Sequence, residues 1–196
     1  MLIFVKINFT FVGLKGLFLT YFMFYAIIIR LGGELYIPKT GGRSMEIRRA
    51  TVDDLPVIQR MLGELLQYEK AYDSTLKSAW VYSEDSKEKL SKLIENDVVL
   101  IAEEVNYPIG YLVGKIDGTV DPVRFEKHAH ISNLYVVDFM RQAGVATGLT
   151  NEFKTICKEV GVESLTVSVL SDNSVALSFY YKMGFLPRTT ILQTKI

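Results

Sequence analysis

The chain has 196 residues, with 22 basic and 22 acidic side chains, one cysteine and an apolar fraction of 49%. This length suits one sizeable domain, and the apolar fraction excludes a disordered chain. The lack of net charge argues against a general nucleic-acid binder, and one cysteine with two histidines excludes a disulfide framework and a Cys- or His-rich metal centre.

The neutral total is the sum of two unlike segments. Residues 1–44 hold five basic residues and one acidic residue, a net charge of +4, and the remaining residues therefore carry −4. Residues 7–29 are long and apolar enough to cross a bilayer, although Asn8 and Lys15 interrupt them. We interpret residues 1–44 as translated upstream sequence, since codons for residues 40–42 can contain a ribosome-binding site before Met45. A membrane anchor is the alternative interpretation.

The first half of the segment from Met45 predicts a strand, two helices and a hairpin. Thr51 and Asp54 resemble a capping box, and the helix after them has its apolar residues on one face. Ser83 caps a second helix, and residues 68–82 between the helices are irregular and aromatic. The predicted strands cover residues 46–50, 98–104 and 109–115.

The second half alternates strands and helices. Strands are predicted at residues 130–137 and 164–170, helices at 144–161 and 173–183, and a strand or strand pair at 185–196. The order β-αα-βββ-α-β-α-β indicates a mixed α/β domain around one sheet. Cys157 lies beside the apolar stripe of its helix, which predicts a buried, unreactive thiol.

Small residues surround the predicted start of the helix at Gly144. They let a ligand approach the backbone, and the free N–H groups of a helix N-terminus favour an anion. Arg141 adds a positive charge beside them. The segment is neither a Walker A loop nor a dinucleotide fingerprint. The alternative interpretation is that Ala143, Gly144 and Ala146 only allow close packing of the helix on the strand.

A second pattern, Asn173-x-x-Ala176-x-x-x-Tyr180, is followed by Gly184-Phe185. On a helix the first three of these residues lie near one face. Asn173 is consistent with a simple N-cap, and Tyr180 with a core aromatic residue.

Together the two patterns resemble the GNAT superfamily of N-acetyltransferases over the segment from Met45 to Ile196. Arg141-x-x-Gly144-x-Ala146 matches its acetyl-CoA motif, and residues 173–185 match its second motif. The resemblance implies a mixed, mostly antiparallel central sheet flanked by helices. It also implies direct transfer of an acetyl group from acetyl-CoA, as co-substrate, to a primary amine, with no metal.

The resemblance implies a role for each matching residue. Tyr135 and Val136 would pair with the pantetheine arm, Asn173 would bond its amide, and Tyr180 would protonate the leaving thiolate. The next strand would diverge from that of Val136 to admit the co-substrate, and a backbone N–H near Val136 would meet the oxyanion. The backbone N–H groups for the pyrophosphate would be those of Arg141, Gln142, Ala143, Gly144, Val145, Ala146 and Thr147.

The sequence departs from the family pattern in the loop. Asp138 stands where Pro is frequent, Met140 where an aromatic residue is frequent, and residues 142–143 where Gly-Lys is frequent. The missing lysine leaves Arg141 as the loop's only side-chain cation, and the negative charge of Asp138 is unfavourable beside an anion unless it points away.

The acceptor amine arrives mostly protonated, so a base or a chain of water molecules is needed to remove its proton. His130 matches the position of a catalytic histidine in some relatives and titrates in a useful range, although a half-exposed histidine at a strand end is the alternative. His128, Glu104 and Glu126 are further candidates. Simple alternation puts on one face His128, His130, Ser132, Leu134 and Val136.

Four aromatic residues between the first two helices either line the acceptor site or only pack: Tyr68, Tyr72, Trp80 and Tyr82. The charge of −4 favours a cationic acceptor, such as a small amine, a polyamine, an aminoglycoside or a peptide N-terminus. The rival hypotheses are a non-catalytic CoA-binding regulatory domain of the same fold and a membrane-tethered enzyme that uses residues 7–29. We expect a cytoplasmic protein, and the resemblance leaves a homodimer open.

Overall fold

The computed structural model describes residues 29–31, 34–36, 45–121 and 126–194. The chain divides into two units between Ser44 and Met45. In the first unit, strand β1 (Ile29–Leu31) pairs antiparallel with β2 (Glu34–Tyr36). The apolar stretch of residues 7–29 lies outside the described residues except for Ile29. None of the helices in the described ranges combines the length and hydropathy that crossing a membrane requires.

The second unit is built on a five-stranded sheet in the order β3-β4-β5-β6-β7. The first four strands are antiparallel to their neighbours, and β7 runs parallel to β6. This arrangement confirms the predicted mixed, mostly antiparallel sheet. The strands are β3 (Glu46–Arg49), β4 (Val98–Glu104), β5 (Tyr107–Val120), β6 (Lys127–Val136) and β7 (Ser164–Val167).

Helices cover both faces of this sheet. Alternate residues of β5 point to opposite faces. A side chain at Gly110 or Gly114 would meet residues of α3, whereas Tyr111 faces α1. The helices are α1 (Leu55–Glu69), α2 (Glu84–Asn96), α3 (Val145–Glu159) and α4 (Ser174–Lys182), with short 3-10 helices at Val52–Asp54, Ser78–Tyr82 and Asp138–Met140.

The strand predicted after Gly184 is wrong for the described residues. Residues 185–194 form no strand, and Leu186, Ile191 and Leu192 lie exposed. An apolar run becomes a strand only where a neighbour pairs with it, and Pro187 also lacks the N–H that such pairing uses. Strand β7 likewise ends at Val167, three residues before the predicted limit.

Arg48 anchors the start of α1 to two strands. Its guanidinium donates two hydrogen bonds of 2.8 Å to the Asp54 carboxylate and one of 2.6 Å to Glu103 of β4. The Asp54 carboxylate also accepts the N–H of Thr51 at 2.8 Å, as expected from the capping-box pattern. These bonds, mainly those from Arg48, lower the pKa of Asp54 to about 2. The anchor fixes the helix whose far end borders the candidate site.

We predict that Asp54→Asn destabilises the protein by about 1–2 kcal/mol at neutral pH. Because the carboxylate has a lower pKa in the folded protein than its usual 3.8, its contribution is complete above that value. It is lost as the pH falls toward 2. Urea unfolding should therefore show the same difference from the wild type at pH 7 and 5 and a smaller difference at pH 3. Asp53→Asn, which removes an exposed neighbouring carboxyl, is the control; a constant difference for Asp54→Asn would contradict the linkage.

Gly114 allows α3 to pack directly on the sheet. A β-carbon at this position would overlap the ring of Phe153, which is fully buried in α3. We predict that Gly114→Ala lowers the free energy of unfolding by about 1–3 kcal/mol. The matched control in the same strand is Gly118→Ala, since a β-carbon there meets nothing within 4 Å. Equal stability of the two variants in a denaturant titration would show that α3 does not pack this closely.

Candidate active site

Strands β6 and β7 pair over only four residues. The parallel ladder runs from His128–Ser164 to Ile131–Val167. Beyond this point β7 has ended, while β6 continues to Val136. Within the described part of the chain, no strand pairs with this side of β6 after Ile131, so the two strands diverge as expected. The opening exposes polar backbone groups that a ligand can bind.

The opening leads to the N-terminus of α3. Gly144 is the N-cap in the left-handed conformation, with φ of 87°, and no side chain caps the helix. The first bond within the helix runs from the N–H of Gly148 to Gly144 at 2.9 Å. The N–H groups of Val145, Ala146 and Thr147 therefore have no acceptor within the helix, and they favour an anion.

Gln142 is one of the departures from the family pattern, and its backbone keeps a conformation that is typical of glycine. Its φ is 64°, in the left-handed region that favours glycine. The family pattern frequently has Gly at this position, so the chain keeps the conformation of the loop with a residue that adopts it at a cost. Ala143 follows, and its N–H donates to Met140 at 3.4 Å.

The Arg141 side chain already has partners. Its guanidinium pairs with the Asp138 carboxylate at 2.7 Å, and its Cζ lies 4.8 Å from the centroid of the Tyr68 ring and 6.0 Å from that of Tyr135. Its Nε donates to the carbonyl of Val136 at 3.4 Å. Asp138 therefore points toward Arg141 and neutralises part of the charge that an anion in the loop would meet.

Helix α4, whose N-cap is Asn173, follows β7 in the chain and carries Tyr180. The Oδ1 atom of Asn173 accepts the N–H of Ala176 at 3.1 Å, so the residue is the predicted N-cap. Its side chain is buried, and its Nδ2 group remains as a donor. The other end of α4 is bound to α3, because Lys154 donates to the carbonyl of Met183 at 2.8 Å.

Tyr180 lies in an aromatic setting. Its ring contacts Phe179 and Phe185 edge-to-face at centroid distances of 5.1 and 5.3 Å, and the residue is 8% exposed. Burial, and secondarily the charge of Glu69, raise the pKa of Tyr180 well above its usual value. The hydroxyl is therefore protonated at neutral pH, as a general acid must be.

A β-bulge at Ser132 interrupts the alternation of β6. Ile131 pairs with Gly114 of β5 and Asn133 pairs with Val113, which leaves Ser132 outside the ladder. A bulge shifts the strand by one residue, so the side chains after it change face.

The grouping predicted from simple alternation is therefore wrong. Val136 pairs with Gly110, which faces α3, whereas His130 pairs with Lys115 on the opposite face. His130 thus shares with Tyr135 the face that carries α1. The bulge does not alter the pattern of apolar residues, so it could not have been predicted from the sequence.

The hydrogen bonds of His130 define its tautomer. Its Nδ1 lies 3.1 Å from Oγ1 of Thr166, and that hydroxyl donates its only proton to the carbonyl of Ala129 at 3.2 Å. This arrangement favours the tautomer with the proton on Nδ1 and a lone pair on Nε2. Burial and the neighbouring His128 lower the pKa of His130. At neutral pH the imidazole is an uncharged group that can accept a proton at Nε2.

The four aromatic residues of the segment 68–82, which starts in the last turn of α1, separate into two groups. The hydroxyls of Tyr68 and Tyr72 lie 3.2 Å apart, and Tyr68 contacts the Arg141 guanidinium. Trp80 instead donates to Asp85 at 2.9 Å, and Tyr82 packs over Gly63. Tyr68 thus contacts the loop, whereas Trp80 contacts α2 and Tyr82 contacts α1.

Two further candidate groups lie at the end of β4 and just before β6. Glu126 forms an ion pair with Arg188 at 3.6 Å, and Glu104 is buried at the end of β4, where it pairs with Tyr107. Burial in α3 raises the pKa of Cys157 to about 11, in accord with the predicted unreactive thiol.

Glu69 of α1 and Tyr111 of β5 are two residues that the sequence did not single out. Glu69 is half-buried at the end of α1. Burial is the main cause of the raised pKa of Tyr111 and of Tyr180, and the charge of Glu69 adds to both shifts. Tyr111 is fully buried opposite Tyr135 in the β5–β6 ladder. The alternation of β5 could have placed Tyr111 inside, but only the folded chain brings it near Glu69.

Comparison with known proteins agrees with this geometry. Residues 64–185 match the sequence model of the acetyltransferase (GNAT) family. The chain is 28% identical over 148 residues to a spermidine N(1)-acetyltransferase of Thermoplasma acidophilum, which covers 72% of this chain and 88% of that protein.

Solved structures show the same fold. The PaiA N-acetyltransferase of Thermoplasma acidophilum in complex with coenzyme A has a TM-score of 0.65 and 26% identity, over 76% of this chain and 93% of that one. A tetramutant protein of Bacillus halodurans has a TM-score of 0.69 and 20% identity, over 77% and 99%. An aminoglycoside acetyltransferase from an uncultured soil sample, in complex with sisomicin, has 0.60 and 20%, over 78% and 95%.

We predict that His130 titrates below the usual histidine pKa of 6.5, since its charged form is partly desolvated and lies near His128. Replacing the neighbour, in His128→Gln, should move the pKa of His130 upward. The pH dependence of the His130 imidazole signals in NMR spectra measures both. An unperturbed titration of His130, insensitive to this substitution, would contradict the half-buried placement.

Proposed function

The chain belongs to the acetyltransferase (GNAT) family, and from that premise we propose that it transfers the acetyl group of acetyl-CoA to a primary amine. The observation that carries the proposal is the opening between β6 and β7, which ends at an uncapped helix N-terminus. An open strand edge suits an extended chain with amide groups, and the helix N-terminus suits its phosphates. Acetyl-CoA carries both.

We propose that the co-substrate is bound mainly by backbone groups. The N–H groups of the loop and first turn, residues 141–147, would hold the pyrophosphate, and the edge at Tyr135 and Val136 would pair with the pantetheine arm. The Nδ2 group of Asn173 would donate to an amide of the pantetheine arm, since Oδ1 already accepts the N–H of Ala176. Arg141 contributes less than a free cation would, since Asp138 pairs with it.

The proposed reaction is a direct attack. The nitrogen of the neutral amine forms a bond to the thioester carbon, and the carbon–sulfur bond then breaks. A backbone N–H near Val136 would stabilise the oxyanion. Tyr180 would donate its proton to the leaving thiolate, and Nε2 of His130 would accept the proton that the amine loses, directly or through water. The protonation states of both side chains support these roles.

The acceptor is proposed to be a cationic amine. The segment from Met45 carries a charge of −4, and the relative from Thermoplasma acidophilum is named for spermidine. Both support a polyamine within the broader class of small-molecule and peptide amines. We further propose that the enzyme acts in the cytoplasm, without a metal.

The second candidate function is CoA binding without catalysis. Tyr180 argues against it, because a binding domain has no need of a buried, protonated hydroxyl beside the site. A panel of monoamines, diamines, polyamines, aminoglycosides and peptides, assayed with acetyl-CoA for free thiol, separates the two. Thiol release with at least one amine supports the enzyme, and none with any amine, despite CoA binding, supports the regulatory domain.

We predict that Tyr180→Phe lowers turnover by at least about tenfold, because the thiolate loses its acid. The affinity for CoA, measured by calorimetry, should remain nearly unchanged. Tyr181→Phe is a matched control, since Tyr181 is the next residue but is exposed. Equal turnover of Tyr180→Phe and the wild type would remove Tyr180 from the proposed role.

A further inference from the structure

We propose that Lys154 of α3 is a positioning residue for Tyr180, the proposed general acid on α4. The ammonium group of Lys154 binds the C-terminal cap of α4, and the same cap holds the Tyr180 ring. This inference rests on the proposed function. It assigns a role in turnover to a lysine that lies outside both sequence motifs.

Helix α4 ends in a cap that is formed by two nested hydrogen bonds. The N–H of Phe185 donates to the carbonyl of Tyr180 at 3.0 Å. The N–H of Gly184, whose φ is 87°, donates to the carbonyl of Tyr181 at 3.0 Å. These bonds define a Schellman motif, in which the residue after the turn commonly packs on the residue whose carbonyl it bonds. The rings of Phe185 and Tyr180 make this contact, with their centroids 5.3 Å apart.

Lys154 contacts this cap at two points. Its Nζ donates to the carbonyl of Met183 at 2.8 Å and lies 5.2 Å from the centroid of the Phe185 ring. Met183 is the C-cap residue, so its carbonyl belongs to the negative end of the helix dipole, which favours a cation. The ring under the ammonium group attracts it as well, and this ring is one of those that contact Tyr180.

The same lysine belongs to the helix whose N-terminus would bind the pyrophosphate. Lys154 lies about two and a half turns, or about 14 Å, from Val145 at the start of α3. Helix α4 does not need Lys154 to form, because its N-cap bond from Ala176 to Asn173 and its C-terminal cap are made by its own residues. Lys154 therefore orients α4 relative to α3. A small displacement of a catalytic group is costly to the rate, so loss of this connection slows turnover without weakening CoA binding.

The first test compares two substitutions of Lys154, assayed with an amine of the panel that releases thiol. Lys154→Met removes the ammonium group and should lower kcat by about fivefold to tenfold, with KM for acetyl-CoA and the calorimetric affinity for CoA within about twofold of the wild type. Lys154→Arg can make both contacts and should keep kcat within about twofold. Lys158→Met, the control, removes an equal charge from an exposed position one turn later. Wild-type kcat in Lys154→Met would overturn the inference.

A double variant separates positioning from a general structural role. If Lys154 acts through the Tyr180 hydroxyl, Lys154→Met has little left to remove once that hydroxyl is absent. The double variant should then have a kcat within about twofold of Tyr180→Phe alone. A structural role that is independent of Tyr180 would lower kcat by the same factor in both backgrounds, and this outcome would contradict the proposal.

A second variant keeps the inference testable if Lys154→Met folds poorly. Phe185→Leu keeps an apolar contact in the cap and removes the ring between the ammonium group and Tyr180. It should lower kcat by about twofold to fivefold and leave the affinity for CoA nearly unchanged. An unaltered kcat in this variant would show that Lys154 does not act on Tyr180 through the cap.

NMR spectra of the free protein test the placement without turnover. The Tyr180 ring signals should shift in Lys154→Met and return toward their wild-type positions in Lys154→Arg, and the N–H of Phe185 should exchange faster with solvent in the first variant. Unchanged signals and exchange would overturn the inference, whether or not an amine of the panel releases thiol. These changes together with no thiol release from any amine would support the inference and overturn the proposed function only.

Discussion

Beyond Ile131 and Val167, no strand among the described residues pairs with one side of β6, although β6 continues for five residues to Val136. Backbone N–H and C=O groups inside a domain need partners, so such an edge persists where water or a ligand supplies them. The N-terminus of α3 follows at the end of this edge, and α4 begins after β7. The site is thus a consequence of incomplete pairing in the sheet, and its residues are arranged around that interruption.

The charged groups at the start of α1 have a different role from those at its C-terminus. At its start, Arg48 bonds both Asp54 and Glu103, and the helix is fixed to the sheet. At its end, Tyr68 contacts the guanidinium of Arg141, while Glu69 has no counter-ion among the described residues. A satisfied network gives rigidity, whereas an unsatisfied charge is tolerated only where it is useful. The same helix therefore connects a stable anchor to the loop of the proposed site.

Sequence patterns predicted the frame of the site but not its contacts. The spacing of small residues after Arg141 predicted a helix N-terminus, and the run from Asn173 to Gly184 predicted α4, because both depend on local preferences of the backbone. The bulge at Ser132 could not be predicted, since it depends on pairing with a distant strand.

Three other features also needed the folded chain. The pairing of Arg141 with Asp138 depends on the rotamer of a flexible side chain. The absence of a strand in residues 185–194 depends on a missing neighbour. The orphan hydroxyl of Tyr111 depends on what surrounds it in space.

The proposed phosphate cradle consists of main-chain groups, and this has a consequence for how the loop can diverge. A mutation that replaces Gln142 or Ala143 changes a side chain but deletes no N–H donor. Selection on the loop thus acts on conformation, and its strongest demand falls on Gly144, whose φ of 87° few residues adopt. Such a loop can lose its lysine and most other residues of its motif during evolution and still keep its backbone N–H donors.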